Sequence, residues 1–284
     1  MKILSFGDII WDVYPEKACI GGAMLNFAAH IAKSGADSFL MSSVGDDTLG
    51  KDALDKLKEF GVNTKFISTS KSLPTGQCRV TLDANAVPSF SLLDNVAYDK
   101  ISTTDAALSE SFDAIAFGSV PIRHEHNIKE LKRLIENRNA VKIYCDINLR
   151  APFFDESSVA FCLQMPNILK VSEVELEYVM ENILHSDEVD YEKSARALCK
   201  AYDNLELILI TCGEYGAYAY SKKEDKTYYH PAKKVEVVST VGAGDSFGAA
   251  FLVDYLSGRS IEEALVSATE RSAYVVSHID AVPN

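Results

Sequence analysis

In "STVGAGDSF", Ser239 to Phe247, two glycines precede an aspartate at three residues and at one. Glycines at that spacing let an anion approach the backbone closely, and a carboxylate beside an anion site suits the transfer of a phosphoryl group past it. After Asp245, the residues Phe247, Phe251 and Tyr255 recur at i, i+4 and i+8 and stop at Gly258. The spacing predicts a helix from about Ala243 to Ser257, with Gly242, Ala243, Gly244 and Asp245 in its first turn. The unpaired N–H groups of that turn and the positive end of the helix dipole would hold a phosphoryl group while Asp245 accepts the proton of a hydroxyl nucleophile. A helix N-terminus makes a carboxylate a weak base, but a loose phosphoryl-transfer transition state needs its nucleophile oriented first and deprotonated late. Taken alone, Asp245 reads as an early-helix acidic residue that complements the dipole, rather than as a base.

Other glycine-loop chemistries fail on spacing. The chain has no G-x-x-x-x-G-K-[ST] and no D-x-G, and Phe247 stands where a dinucleotide loop would need its third glycine. The six cysteines contain no C-x-x-C and are expected to be reduced thiols. "HEH", His124 to His126, lacks i, i+4 spacing and a third ligand nearby in sequence, so a solvated loop is expected there.

The elements that must position these residues follow from the periodicity of a 284-residue chain that is 47% hydrophobic. Apolar runs of strand character occur at Ile3 to Phe6, Ala114 to Phe117, Val141 to Cys145, Ile168 to Val171, Leu207 to Ile210 and Val235 to Val238. Helical patterns lie between many of them: Met24, Phe27, Ala28 and Ile31; Ala53, Leu57 and Phe60; Ile128, Leu131 and Ile135; Tyr191, Ala195, Leu198 and Tyr202. The alternation predicts an α/β fold, a doubly wound and mostly parallel sheet with helices on both faces, in one domain spanning 1–284. Residues 65–100 interrupt the rhythm with β-type alternation and turns, and read as a small β excursion. A parallel sheet binds ligand at the carboxyl ends of its strands, which here carry Gly7-Asp8, Gly118-Ser119, Asp146 to Arg150, Ser172, Thr211 to Gly213 and Ser239 to Asp245. A net charge of −13 without a basic stripe excludes a nucleic-acid partner, and no run reaches the ~18 apolar residues of a membrane span. Asp8 comes too early for a secretory signal, so a cytoplasmic protein is expected.

Four motifs in order carry a resemblance to the ribokinase-like, PfkB family of carbohydrate kinases over nearly the whole chain. "GGAMLNFAAHIAKSG" resembles the family's G-G-x-x-x-N, "DINLR" the D-P-N-L-R of fructokinase-type members, "ITCGEYGAYAY" the T-x-G-x-x-G nucleotide segment, and "STVGAGDSFGAAFL" the signature D-T-x-G-A-G-D-x-F. The resemblance implies a three-layer ribokinase-like sheet with a β lid from about 10–22 and 65–100. It implies Asp245 as catalytic base, with Gly242, Ala243 and Gly244 lining the anion hole. Asp12, Gly22 and Asn26 would bind sugar hydroxyls, and Phe90 would pack on the sugar or fill the core of a short strand. Thr211, Gly213 and Gly216 would border ATP, Gly216 rather as a turn, and Arg150 would meet phosphate or form a surface ion pair. Ser172 and Glu175 match N-x-x-E, with serine in place of asparagine; they would position the Mg2+-nucleotide, and they also read as a helix capping box.

The implied activity is transfer of phosphate from ATP to a primary hydroxyl of a monosaccharide, fructose first, with ketodeoxygluconate, ribose and nucleosides open. A non-catalytic sugar- or nucleotide-binding paralogue is the rival from another class, against which the retained Asp245 speaks. Met24 and Leu25 replace smaller residues and would narrow the sugar pocket. Ser239 stands where the family carries an aspartate at a monovalent-cation site, so weak K+ activation is expected. Exposed lid edges would pair with a second copy to form a homodimer.

Overall fold

The computed structural model describes residues 1–14, 17–82, 88–137 and 142–284. They pack as two compact units, Met1–Phe112 with Pro121–Asn139, and Asp113–Val120 with Ala140–Asn284.

The first unit contains β1 (Lys2–Phe6), β2 (Ile10–Val13), β3 (Ala18–Gly21), α1 (Ala23–Lys33), β4 (Asp37–Gly45), α2 (Thr48–Glu59), β5 (Asn63–Ser70), β6 (Gly76–Leu82), β7 (Pro88–Leu92), α3 (Asp105–Leu108) and α4 (Glu125–Glu136). Strands β1, β4 and β5 run parallel in that order, and α1 returns the chain between the first two. Its apolar stripe is why α1 forms: Met24, Phe27, Ala28 and Ile31 are all buried, and the helix gives way to Gly35 at φ 84°, where glycine carries no steric penalty. A second sheet, ordered β3-β2-β6-β7, gathers strands from within the 10–22 and 65–100 segments. The turn before α2 is tied to the start of this sheet. Asp47 caps α2 by accepting from Gly50 N (2.8 Å), and it also accepts from Thr75 N (2.8 Å) and Thr75 Oγ1 (2.7 Å).

The second unit contains β8 (Ala114–Gly118), β9 (Lys142–Asp146), α5 (Glu156–Gln164), β10 (Ile168–Ser172), α6 (Glu173–Asn182), α7 (Tyr191–Ala201), β11 (Leu207–Thr211), β12 (Ala217–Ser221), β13 (Lys226–His230), α8 (Ala243–Leu256) and α9 (Ile261–Val276). Strands β8, β9, β10 and β11 are parallel in sequence order, and β12 and β13 extend the edge antiparallel. Their near-continuous apolar sequence matches burial on both faces, as at Ile208 and Leu209. Helix α8 is apolar all round, buries every residue from Ser246 to Val253, and packs on α9. The α/β class and the mostly parallel ladders agree with the expectation.

The run Val235 to Val238 is not a strand. Val237 and Val238 are 63% and 55% exposed, and the N–H groups of Val238 and Ser239 both go to Val276 O at the end of α9. A helix terminus, not a sheet edge, fixes this segment, so its alternation buries nothing. No helix among the described residues is long and apolar enough to cross a membrane.

Candidate functional site

Gly242 enters α8 in the left-handed conformation, φ 80°. A Cβ there would stand 2.7 Å from Ala281 O and 2.8 Å from Ala281 Cβ, so both dihedral and space demand glycine. It offers no side chain to cap the helix, and of the amides expected to face an anion Ala243 N donates to Thr240 O at 3.3 Å. Asp245 lies in this turn, half-buried, as the expected helix boundaries require. Ser239 precedes it with Oγ accepting from Val241 N at 3.3 Å, a bond within its own turn.

Beneath the turn is a buried ion pair that the sequence reading missed. Lys170 and Asp146 are register partners on β10 and β9, 6% and 1% exposed. Lys170 Nζ donates to both carboxylate oxygens at 3.0 and 2.9 Å. Burial pulls the lysine pKa down, but Asp146, Glu175 and Asp245 outweigh it and hold it above its usual value, so it stays an ammonium. A Cβ on Gly244 would lie 2.8 Å from that Nζ. The second residue of α8 and the ammonium are thus in contact distance only because Gly244 has no side chain. One signal was available: a lysine inside the otherwise apolar "ILKVS".

Glu175 adds a third carboxylate to this cluster. Its Oε2 accepts from Ser172 N (2.8 Å), Ser172 Oγ accepts from Glu175 N (3.4 Å), and Oε1 accepts from Leu149 N (2.9 Å). The capping box is present and also anchors the "DINLR" segment, where Asn148 turns through φ 39° and its carbonyl accepts from Ser119 Oγ at 3.0 Å. Each oxygen of Glu175 keeps a lone pair beyond its backbone N–H. Together with Asp245 the glutamate therefore fits a hydrated Mg2+ that reaches the protein mainly through water and nucleotide phosphate. Arg150 is exposed and pairs with no carboxylate among the described residues. Thr211 ends β11 with Oγ1 3.5 Å from Val171 O, and Gly213 (φ 53°) has open space where a side chain would stand. Gly216 is a packing glycine, since a Cβ there would lie 2.2 Å from His230 O. Val237, Val238, Val241 and Ile279 leave apolar side chains more than half exposed on the segments flanking the first turn of α8.

In the first unit, Asp12 on β2 is paired in register with Cys19 on one side and Cys78 on the other. It is half-buried, and burial lifts its carboxyl above the usual aspartate range against a hydrogen bond from Cys78. Gly21 on β3, opposite Ile10, is diagonal to Asp12: a Cβ on Gly21 would be 3.4 Å from Asp12 Oδ2. Gly22 caps α1 at φ 107°, where a Cβ would be 2.7 Å from Asp8 O. Asp8 supplies the capping oxygens that Gly22 lacks, accepting from Ala23 N (2.8 Å) and Met24 N (3.4 Å). Asn26 N donates to Gly22 O at 2.9 Å and its side chain is buried, 4% exposed, so it is no helix-surface residue. Met24 and Leu25 are 1% and 0% exposed; a Cβ on Gly7 would be 2.5 Å from Met24 Cγ. Their bulk is buried in the core under α1. Phe90 lies on β7 opposite Val80, and its side chain falls outside the described residues.

The "HEH" stretch is not a solvated loop. His124 caps α4 with Nε2 2.8 Å from Asp94 Oδ1, and His126 Nε2 is 2.9 Å from Ile101 O. Asp94, Asp99 and His124 place ligand atoms within 4.8 Å of one another, carboxylates that sequence spacing could not bring in. Arg123 already occupies Asp99, through Nε at 2.9 Å and Nη2 at 3.0 Å.

Residues 17–283 match the model of the pfkB family carbohydrate kinases. The chain is 31% identical over 283 residues to a fructokinase of Solanum tuberosum, covering 92% of this chain and 83% of that protein. The fold matches a fructokinase with bound ATP from Xylella fastidiosa, with TM-score 0.84 and 21% identity over 99% of this chain and 94% of that one. It also matches a fructokinase from Vibrio cholerae in a fructose, ADP and calcium ion bound form, with TM-score 0.81 and 20% identity over 99% and 94%.

Proposed function

Because the chain belongs to the pfkB family of carbohydrate kinases, we propose that it transfers the γ-phosphoryl group of ATP to a primary hydroxyl of a monosaccharide, with fructose the leading substrate. The observation that carries this reading is the turn in which Gly242 opens α8 and Asp245 closes its first turn. Asp245 orients the sugar hydroxyl and takes its proton late, as the bond from sugar oxygen to phosphorus forms and the bond from phosphorus to the ADP oxygen breaks. The N–H groups of Gly242, Ala243 and Gly244 stabilise the charge on the moving group. A bound Mg2+ would neutralise charge on the nucleotide phosphates; Glu175, with Ser172 fixing its helix, would hold it through water.

Asp12, Gly22 and Asn26 hold the sugar, because a carboxylate and an amide together accept from and donate to neighbouring hydroxyls. The second sheet covers the sugar. Thr211, Gly213 and Arg150 border the nucleotide, with Val237, Val238, Val241 and Ile279 as an apolar shelf for its base. Exposed strands of the second sheet pair with another copy in a homodimer. Fructose leads because the relative in potato is a fructokinase and "DINLR" is close to the fructokinase pattern.

A coupled ADP-release assay over fructose, ribose, ketodeoxygluconate and nucleosides tests the reading. Fructose should give the highest kcat/KM. A preference for another sugar would correct the substrate, and no sugar-dependent ADP release would favour a binding paralogue.

A further inference from the structure

We propose that Lys170 supplies a positive charge to the transferring phosphoryl group at the first turn of α8, and that Asp146 is the positioning residue that holds the ammonium there. This inference rests on the reading that the turn receives that group. Lys170 is 6% exposed on a strand whose other interior residues Leu169 and Val171 are wholly buried, so an apolar residue would pack at this position without the burial of two charges. Replacing a buried ion pair by apolar residues of similar volume is commonly neutral or stabilising, which leaves the pair without a need in folding. Its position matters as well. The ammonium sits where a Cβ on Gly244 would be 2.8 Å away, against the positive end of the α8 dipole. Asp146, Glu175 and Asp245 already favour the ammonium there, and the ammonium and the dipole end together favour an anion at the turn.

Asp146 holds the lysine in place, with both oxygens on Nζ and only 1% exposure. Gly244 completes the arrangement, because any side chain there would separate the ammonium from the turn's outer face. The result is a charge preorganised in a dry site, the form in which electrostatic stabilisation of a transition state is most effective. Lys170 would favour the γ-phosphate over ADP alone, since ADP lacks the group that reaches the turn.

The test compares the wild type with Lys170→Met, with Asp146→Asn/Lys170→Met, which removes both charges at once, and with Gly244→Ala. Each is checked for folding by near-ultraviolet circular dichroism and thermal unfolding. Titration calorimetry measures ADP and a non-hydrolysable ATP analogue, and turnover is followed with fructose. Loss of a single preorganised donor costs about 10²- to 10³-fold in kcat, and the two lysine variants should fall in that range. The analogue should lose at least roughly tenfold in affinity while ADP stays within about threefold, a split that a purely structural lysine would not produce. Gly244→Ala, which pushes Nζ from the turn without removing a buried charge, should shift the analogue-to-ADP ratio in the same direction, and an unchanged ratio there counts against the proposal even if the paired variants do not fold. A folded double variant, or Gly244→Ala, with an unchanged ratio overturns the proposal. Absence of sugar-dependent ADP release in the wild type would instead overturn the kinase reading, and the calorimetric ratio would still judge Lys170.

Discussion

Glu175 can be separated into a folding role and a catalytic one by two substitutions. Ser172→Ala removes the hydroxyl that accepts from Glu175 N at 3.4 Å, a long contact, so its cost lies at the low end of capping losses, about 0.5 kcal/mol. Glu175→Gln leaves a single acceptor oxygen where the carboxylate served two N–H groups, of Ser172 at 2.8 Å and Leu149 at 2.9 Å. One of those donors then faces an NH2 group, and an unsatisfied, partly buried N–H costs about 1–3 kcal/mol. Urea unfolding should therefore show a loss of about 2 kcal/mol for Glu175→Gln and about a quarter of that for Ser172→Ala. In turnover the two must part. Ser172→Ala should keep kcat within about twofold, whereas Glu175→Gln, deprived of the charge that holds the Mg2+-nucleotide, should lose at least roughly tenfold in kcat at saturating ATP and Mg2+. If Glu175→Gln loses its stability but turns over within about threefold of the wild type, the residue is a cap alone and the magnesium role is refuted.

Hydrogen bonds from Thr75 and Gly50 hold Asp47 below the usual aspartate range although burial pushes it up. A lowered native pKa contributes stability that is present above the unfolded value, near 4, and is lost as pH falls through the native one. Asp47→Asn should thus cost about 1–2 kcal/mol in urea unfolding at pH 7, with the gap to wild type closing below about pH 4; a gap constant down to pH 2.5 would contradict the network. Asp12→Ala should weaken sugar use by about 2 kcal/mol with ATP affinity unchanged; loss of ATP binding in its place would refute the pocket assignment. Turnover in potassium and tetramethylammonium salts of equal ionic strength should differ little for the wild type and should differ after Ser239→Asp, because serine brings no charge to that position. Strong activation of the natural sequence would show that carbonyl oxygens suffice.

Where one local rule controlled the outcome, the sequence was enough. The start of α8, the end of α1 at Gly35 and the capping box at Ser172 and Glu175 all follow from spacing within a few residues. Strand β4 escaped because its buried Ser38, Ser42 and Ser43 interrupt the apolar run, and Val235 to Val238 misled because alternation is silent about what covers it. The buried pair Asp146 and Lys170 needed the parallel register of β9 and β10, which juxtaposes residues 24 apart in the chain. The carboxylates around His124, Asp94 and Asp99, likewise come from an earlier segment of the chain. Long-range polar pairing of this kind leaves no periodic trace, only an ionisable residue in a run too apolar for it.

The account stands most directly on Asp245 as the group that takes the proton in phosphoryl transfer. Steady-state turnover of Asp245→Asn with fructose and ATP, set beside its ADP affinity, tests it. The account predicts a fall in kcat of at least about 10²-fold, the lower range for loss of a general base, with ADP affinity within a few-fold. Near-normal turnover in a folded Asp245→Asn enzyme would contradict it.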